Sequence, residues 1–226
     1  MLRSMLFCLC LVLSAAAHAA PRVILVFGDS LSAGYGLRVE EAWPTLLDAR
    51  LRSEKLDYTV VNASISGETT AGGLSRIDAA IAKHKPSVVI IALGANDGLR
   101  GLSLSAMRGN LEGMIQSSRR AGARTLLVGM RMPPNYGPDY TQKFQRSFAD
   151  VAQSRQIALV PFMMDGFADR RDFFQADGIH PTAQAQPKIL DTLWPALKPL
   201  LRKSRGLILV TGPTGHNRGL PEVVSP

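Results

Sequence analysis

The stretch Val23-Ile24-Leu25-Val26-Phe27-Gly28-Asp29-Ser30-Leu31-Ser32 decides the fold of this chain. Its first five residues are apolar and largely β-branched, which is typical of a strand that is buried on both faces of a parallel sheet. Ser30 follows at the carboxyl end of that strand, where open α/β sheets bind their ligands. The segment from Gly28 to Ser32 fits a hydroxyl nucleophile and a helix N-cap equally well.

Four more short apolar runs follow, each succeeded by a turn-rich stretch and a segment with helical apolar spacing. Together with the first run, the predicted strands are Val23–Phe27, Tyr58–Asn62, Ser87–Leu93, Arg124–Met130 and Ile157–Phe162. The predicted helices are Glu41–Glu54, Ala71–His84, Ser105–Ala121, Asp139–Gln153 and Thr182–Lys203. Strands that alternate with helices indicate a parallel sheet with helices on both faces. We therefore predict a flavodoxin-like, doubly wound, five-stranded α/β/α sandwich with strand order 2-1-3-4-5.

The first 19 residues have the three regions of a secretory signal peptide. Arg3 precedes an apolar stretch from Met5 to Leu13, and small residues lead to a cleavage position after Ala19. The apolar stretch is shorter than the roughly 20 residues that span a bilayer. We expect an exported protein, periplasmic or secreted. Cleavage would remove both cysteines of the chain, which excludes disulfides, cysteine-bound zinc and a cysteine nucleophile from the mature protein.

Length and charge limit the remaining possibilities. The 226 residues suit one sizeable domain, which we place at residues 20–205. Removal of the signal peptide takes away one arginine and no acid, so the formal charge falls from +8 to +7. Lysines and arginines are scattered without a basic run, so we expect no nucleic-acid partner. Residues 206–226 begin like a phosphate-binding loop but lack its lysine, and we predict a poorly ordered C-terminal extension.

A hydroxyl nucleophile needs a base, and elimination among the four histidines selects His180. His18 leaves with the signal peptide, His84 ends a predicted helix, and His216 lies in the extension rich in Gly and Pro. His180 follows the fifth strand, and Asp177 stands three residues before it, near enough to orient the imidazole. In isolation this segment also fits an Asx turn followed by a surface histidine.

Two other strand ends offer hydrogen-bond donors for an oxyanion. Gly67 follows the second strand and can present a free backbone N–H, while Asn96 follows the third and carries a side-chain amide. Each segment alone also fits an ordinary loop rich in Gly and Asn. Because the carboxyl ends of parallel strands share one edge of the sheet, we expect these donors, Ser30 and His180 to meet in one crevice.

These segments together resemble the SGNH, or GDSL, hydrolase superfamily, and specifically its bacterial thioesterase I, lysophospholipase L1 and arylesterase group. The resemblance extends from about Val23 to Leu200 and rests on four blocks: Gly28–Gly36, Asn62–Gly67, Gly94–Gly101 and Asp177–Pro181. It implies an SGNH hydrolase fold, Ser30 as nucleophile, His180 as base and Asp177 as its orienting carboxylate. It further implies that Gly67 and Asn96 join the Ser30 backbone N–H in the oxyanion hole.

The expected activity is hydrolysis of carboxylic esters and thioesters of acyl chains through an acyl-enzyme, without metal or cofactor. The alternatives are a carbohydrate O-acetylesterase of the same superfamily and a non-catalytic lipid-binding envelope protein. For the acyl chain we predict contacts with the loop after the fourth strand, at Pro134, Asn135 and Tyr136. We expect a monomer whose partners are a small acyl ester or lysophospholipid substrate, with peripheral contact with membrane lipid.

Overall fold

A computed structural model describes residues 21–201. The predicted signal peptide and the predicted C-terminal extension lie outside these residues. The strands are β1 (Arg22–Gly28), β2 (Tyr58–Asn62), β3 (Val88–Ala92), β4 (Arg124–Val128) and β5 (Ala158–Val160). The helices are α1 (Ser30–Ala33), α2 (Trp43–Ser53), α3 (Thr70–His84), α4 (Ala95–Leu99), α5 (Leu104–Arg120), α6 (Pro138–Arg155) and α7 (Gln186–Leu197). Short 3-10 turns occupy Val39–Glu41, Pro134–Tyr136, Arg171–Phe173, Ala183–Ala185 and Lys198–Leu200.

The five strands form one parallel sheet in the order β2-β1-β3-β4-β5. This confirms the predicted doubly wound topology. The order reverses direction at β1, which pairs with β2 on one side and β3 on the other. Val26 of β1 pairs with Asn62, and Gly28 pairs with Ala92. The register therefore brings the carboxyl ends of β2, β1 and β3 side by side, at the switch point where such sheets bind ligands.

Side-chain alternation along the strands builds two cores. On one face, Ile24 and Val26 of β1 pack with the apolar sides of α2 and α7, which contribute Trp43, Leu47, Leu51, Ile189 and Leu193. On the other face, Leu25 and Phe27 pack with α3, α5 and α6, which contribute Ile77, Met107, Leu111, Phe144 and Phe148. The central strands are buried on both sides, which explains their uninterrupted apolar sequences.

The boundaries differ from the predictions in ways that have physical causes. The last helix was expected at Thr182–Lys203, but a 3-10 turn precedes α7 and another follows it. Proline enters the first turn of both α7 and the following 3-10 turn, where a missing N–H costs nothing. Strand β5 pairs with β4 alone, and its three residues are half of the predicted run. Within residues 21–201, no helix has the length and hydropathy needed to cross a membrane.

Candidate active site

Ser30 stands where β1 turns sharply into the short helix α1. Asp29 is the N-cap of this helix, and its carboxylate accepts the backbone N–H of Leu31 at 3.0 Å. Ser30 is the first helical residue, so the residue before it takes the capping role that Ser30 itself could have taken. The turn requires a glycine at position 28, because a Cβ there would lie 2.7 Å from the Ser32 hydroxyl and 3.0 Å from the Ala92 carbonyl oxygen.

The structure brings the three predicted catalytic side chains into one hydrogen-bonded series. His180 Nε2 lies 2.8 Å from Ser30 Oγ, and His180 Nδ1 lies 2.7 Å from Asp177 Oδ2. The 150 residues that separate Ser30 from His180 in sequence are spanned by the sheet, since both residues follow strands at its carboxyl edge. The ring of Tyr35 packs against the imidazole, with 4.5 Å between ring centroids.

A compact turn fixes the imidazole. Gln175 N–H donates to the His180 carbonyl at 2.8 Å, and the Gln175 side chain donates to the Tyr35 carbonyl at 2.8 Å. Arg171 donates to the backbone carbonyls of three consecutive residues, Phe174, Gln175 and Ala176. The loop after β5 is thus fastened to itself and to the loop after β1, which carries Ser30.

Asp177 is held as a carboxylate. Its Oδ1 accepts the backbone N–H groups of His180 at 3.0 Å and Ile179 at 2.8 Å. These two bonds, followed by the side-chain bond to His180, lower the pKa of Asp177 to about 2. The group is therefore ionised at every pH at which the protein is expected to work. An acceptor of fixed charge at Nδ1 keeps the imidazole proton on that nitrogen and leaves Nε2 free to accept from Ser30.

The two predicted oxyanion donors lie on the loop between β2 and α3 and in the short helix α4. The loop that carries Gly67 is joined to β1 through the Ile65 N–H, which donates to the Gly28 carbonyl at 3.0 Å. Gly67 has a φ of +78°, a conformation that favours glycine. Within the described part of the chain, the backbone N–H groups of Ser30 and Gly67 have no hydrogen-bond acceptor, so both are available to a ligand.

Asn96 lies in the first turn of α4, and only one of its two amide hydrogens has a close hydrogen-bond acceptor. Its Nδ2 donates to the Glu68 carbonyl at 3.0 Å and lies 3.4 Å from Asp29 Oδ2. The second contact is long for a hydrogen bond to a carboxylate. Asp29 is buried, and this burial raises its pKa to about 6. One amide hydrogen of Asn96 therefore has a firm partner and the other can take a better one.

Sequence reasoning missed the buried network behind these donors. Asp97 accepts the backbone N–H of Thr70 at 2.8 Å and its hydroxyl at 2.5 Å, and Asn110 donates to the same hydroxyl at 3.1 Å. The network joins α3, α4 and α5 next to Asn96 and at the end of the loop that carries Gly67. The only local signal was an acidic residue directly after Asn96, which does not reveal its distant partner.

The predicted acyl-chain contacts fall on a 3-10 turn beside α4. The Tyr136 hydroxyl donates to the Leu99 carbonyl at 3.0 Å, while Pro134 and Asn135 are exposed. The turn therefore borders helix α4, which carries Asn96, and its contact with an acyl chain stays a prediction. A depression beside the nucleophile is lined by Ser30, Leu31, Gly34, Tyr35, Leu37, His180, Pro181 and Gln186. A separate cavity of about 300 Å³ between β5 and α7 is lined by none of the predicted site residues.

A hydroxyl, an imidazole and a carboxylate in series at the carboxyl edge of a parallel sheet define the class of serine hydrolases. The sequence profile of the GDSL-like lipase/acylhydrolase family matches residues 26–186, and the chain belongs to this family. It is an ester-hydrolysing enzyme. Among residues 21–201, no group of three or more His, Cys, Asp or Glu side chains is arranged to hold a metal ion.

Several known proteins are similar over most of their length. "Esterase TesA" of Pseudomonas aeruginosa is 50% identical over 194 residues, which cover 86% of this chain and 96% of that protein. "Thioesterase 1/protease 1/lysophospholipase L1" of Escherichia coli K12 is 40% identical, with 84% of this chain and 90% of that protein covered. The crystal structure of an esterase EstA from Pseudoalteromonas, inhibited by monoethylphosphonate, superposes with a TM-score of 0.75 at 42% identity, covering 79% of this chain and 97% of that one.

Proposed function

We propose that this protein is an exported serine esterase that cleaves carboxylic esters and thioesters of acyl chains through a Ser30-His180-Asp177 triad. The observation that carries the proposal is the continuous hydrogen-bond series, 2.8 Å from Ser30 Oγ to His180 Nε2 and 2.7 Å from His180 Nδ1 to Asp177 Oδ2. The first distance suits proton transfer from the nucleophile to its base, and the second suits the hydrogen bond that orients the base.

The reaction proceeds in two steps through an acyl-enzyme. Ser30 Oγ bonds to the substrate carbonyl carbon while its proton passes to His180 Nε2, and the carbonyl oxygen becomes an oxyanion. His180 then returns the proton to the leaving alcohol or thiol as the old bond breaks. A water molecule attacks the acyl-Ser30 ester in the same way, with His180 accepting its proton, and the acid departs as Ser30 is regenerated.

The oxyanion is stabilised by the backbone N–H groups of Ser30 and Gly67 and by the Asn96 amide. The free N–H groups at positions 30 and 67 and the loosely bonded amide hydrogen of Asn96 support this role. A developing negative charge is a stronger acceptor at close range than the Asp29 carboxylate at 3.4 Å, so the amide binds more tightly in the transition state than in the free enzyme.

We expect Asn96→Ala to lower kcat by about 10²–10³ with a much smaller change in KM, the usual result of losing one oxyanion donor. Steady-state kinetics with a p-nitrophenyl ester measures both constants. Gln153→Ala is the control, since it also removes a side-chain carboxamide but from an exposed position on α6. Equal kcat in Asn96→Ala and the unaltered enzyme would remove Asn96 from the oxyanion hole.

The substrate class follows from the leader and from the relatives. Relatives carry the names esterase, arylesterase and thioesterase/lysophospholipase, which supports acyl esters as substrates. The secretory pattern of residues 1–19 supports export, and an exported enzyme meets envelope lipids rather than cytoplasmic acyl-CoA. We therefore rank lysophospholipids and general carboxylic esters above acyl-CoA as natural substrates, with thioesterase activity retained in vitro.

A side-by-side assay of the purified protein tests this ranking. We expect turnover of p-nitrophenyl butyrate, lysophosphatidylcholine and palmitoyl-CoA, and little or no release of acetate from acetylated xylan. Activity confined to acetylated xylan would instead make the protein a carbohydrate O-acetylesterase. A folded protein that hydrolyses none of these and reacts with no fluorophosphonate would be a lipid-binding protein without catalysis.

A further inference from the structure

The Gly67 loop, residues 63–69, joins β2 to α3 and needs an external support. Gly67 carries no side chain that could anchor the loop. A backbone donor stabilises an oxyanion only when it is held in place before the reaction, because reorienting it during the reaction costs energy. Arg100 holds the middle of the loop, since its Nη2 donates to the Gly67 carbonyl at 3.0 Å. The two ends of the loop need a support of their own.

Arg76 contacts both ends of this loop. From the second turn of α3, its Nη1 donates to the Ala63 carbonyl at 2.8 Å, while its Nε donates to the Glu68 carboxylate. The guanidinium also lies over the ring of Phe27, 3.9 Å from the ring centroid, and Phe27 is three residues before Ser30. One rigid planar group thus fixes the start of the loop, its end and their separation from β1.

Glu68 extends this support to the second donor. While its carboxylate binds Arg76, its backbone carbonyl accepts the Asn96 amide at 3.0 Å. A shift of Glu68 would therefore displace both the peptide next to Gly67 and the partner that orients Asn96. The ion pair is well shielded, with side-chain exposures of 24% for Arg76 and 11% for Glu68. Screening by water and salt is accordingly weaker than at a surface pair.

We propose that Arg76 is a positioning residue for the oxyanion hole, because it clamps the two ends of the Gly67 loop and, through Glu68, orients Asn96. The inference rests on the proposed function, since it assigns Arg76 a part in the same ester hydrolysis. Among the described residues, the hydrogen bonds of Arg76 go to Ala63 and Glu68 and not to the triad. Its effect reaches the reaction only through the placement of the two donors.

The first test replaces the guanidinium. We expect Arg76→Met to lower kcat for a small p-nitrophenyl ester by about 10- to 100-fold with KM within about twofold, as small displacements of catalytic groups do. The affinity for a trifluoromethyl ketone, whose adduct with serine carries an oxyanion, should fall by the same factor. Arg120→Met is the control. Arg120 is an exposed arginine at the end of α5, and it pairs with Asp78 of α3, the helix that also carries Arg76.

The second test leaves both charged residues in place. A Cβ at Gly72 would lie far inside van der Waals contact with Glu68 Oε1, so Gly72→Ala should push this carboxylate away from Arg76. Alanine favours a helix more than glycine does, so Gly72→Ala should not destabilise α3. If Arg76 only stabilised the fold, the activity of this variant would be unchanged. We expect instead that kcat falls about 10-fold while the melting temperature is maintained. This variant decides the question even if Arg76→Met does not fold.

The third test measures whether the effects of Arg76 and Asn96 on kcat depend on each other. If Arg76 acts through the oxyanion donors, the double variant Arg76→Met/Asn96→Ala should lose less kcat than the product of the two single losses. Unchanged kcat in both Arg76→Met and Gly72→Ala would overturn the inference, and so would a loss of kcat with unaltered affinity for the trifluoromethyl ketone. The proposed function fails separately, through absence of ester turnover in the unaltered protein.

Discussion

Ser30→Ala should abolish ester hydrolysis, with a loss in kcat of about 10⁶-fold, because the attacking oxygen is gone and the sequence has no cysteine after Cys10 to replace it. The fold should persist, since alanine suits the first turn of a helix and the N-cap of α1 is Asp29. Hydrolysis of p-nitrophenyl butyrate, followed together with thermal unfolding, measures both expectations.

Ser32→Ala is the matched control for this experiment. Ser32 belongs to the same segment, but its hydroxyl is buried and has no hydrogen-bond partner within residues 21–201. Removing such a hydroxyl leaves no group unsatisfied, so activity and stability should remain close to those of the unaltered enzyme. Loss of turnover in both variants would indicate damage to the turn after β1 rather than loss of a nucleophile.

Asp177→Asn should lower kcat by about 10⁴-fold, the cost known for the corresponding change in a serine protease. The backbone N–H groups of Ile179 and His180 require an oxygen at the Oδ1 position, so the new amide nitrogen must face His180 Nδ1. The amide nitrogen donates a hydrogen bond, so His180 Nδ1 must accept it. The imidazole proton then moves to Nε2, where it points at Ser30 and prevents base catalysis. Pre-steady-state kinetics should show that acylation and deacylation are both slower, because His180 is the base in both steps.

The stability difference between the unaltered protein and Asp177→Asn should depend on pH in a definite direction. Because the pKa of Asp177 is lowered from its ordinary value of 3.8 to about 2, its stabilising contribution is complete above pH 4 and disappears as the pH falls through 2. The difference in melting temperature between the two proteins should be constant from pH 5 to 8 and shrink between pH 4 and 2.

Asp172→Asn is the control for the loss of kcat. It changes an exposed carboxylate that is paired with Arg170, and it should leave kcat unchanged. A tenfold or smaller loss of kcat in Asp177→Asn would contradict the orienting role.

The sequence was sufficient for the topology because each strand contains a short run of apolar residues and each long helix has a regular apolar spacing. It was insufficient for the short elements. Helices α1 and α4 have four and five residues, fewer than two turns, so no helical period can be detected in them. The ends of β5 depend on how far its single neighbour β4 extends, which is a tertiary property.

For the site, the sequence indicated which groups follow the strands but not what holds them. Ser30, Gly67 and Asn96 each follow a recognisable strand end closely, and His180 lies in the connection from β5 to α7, so parallel topology predicts their convergence. Arg76 and Thr70 lie within a helix and look like ordinary helical residues. Their contacts with Glu68 and Asp97 exist only in the folded chain. The supporting groups were therefore visible only in three dimensions.

The most direct test of the central claim is to map the residue that a fluorophosphonate modifies. We expect intact-mass analysis to show one adduct per molecule, carried by the peptide that contains Ser30. Labelling should disappear in Ser30→Ala, become much slower in His180→Ala, and parallel the loss of ester turnover. An adduct at another residue, or full ester turnover by a protein whose Ser30 never reacts, would contradict the account.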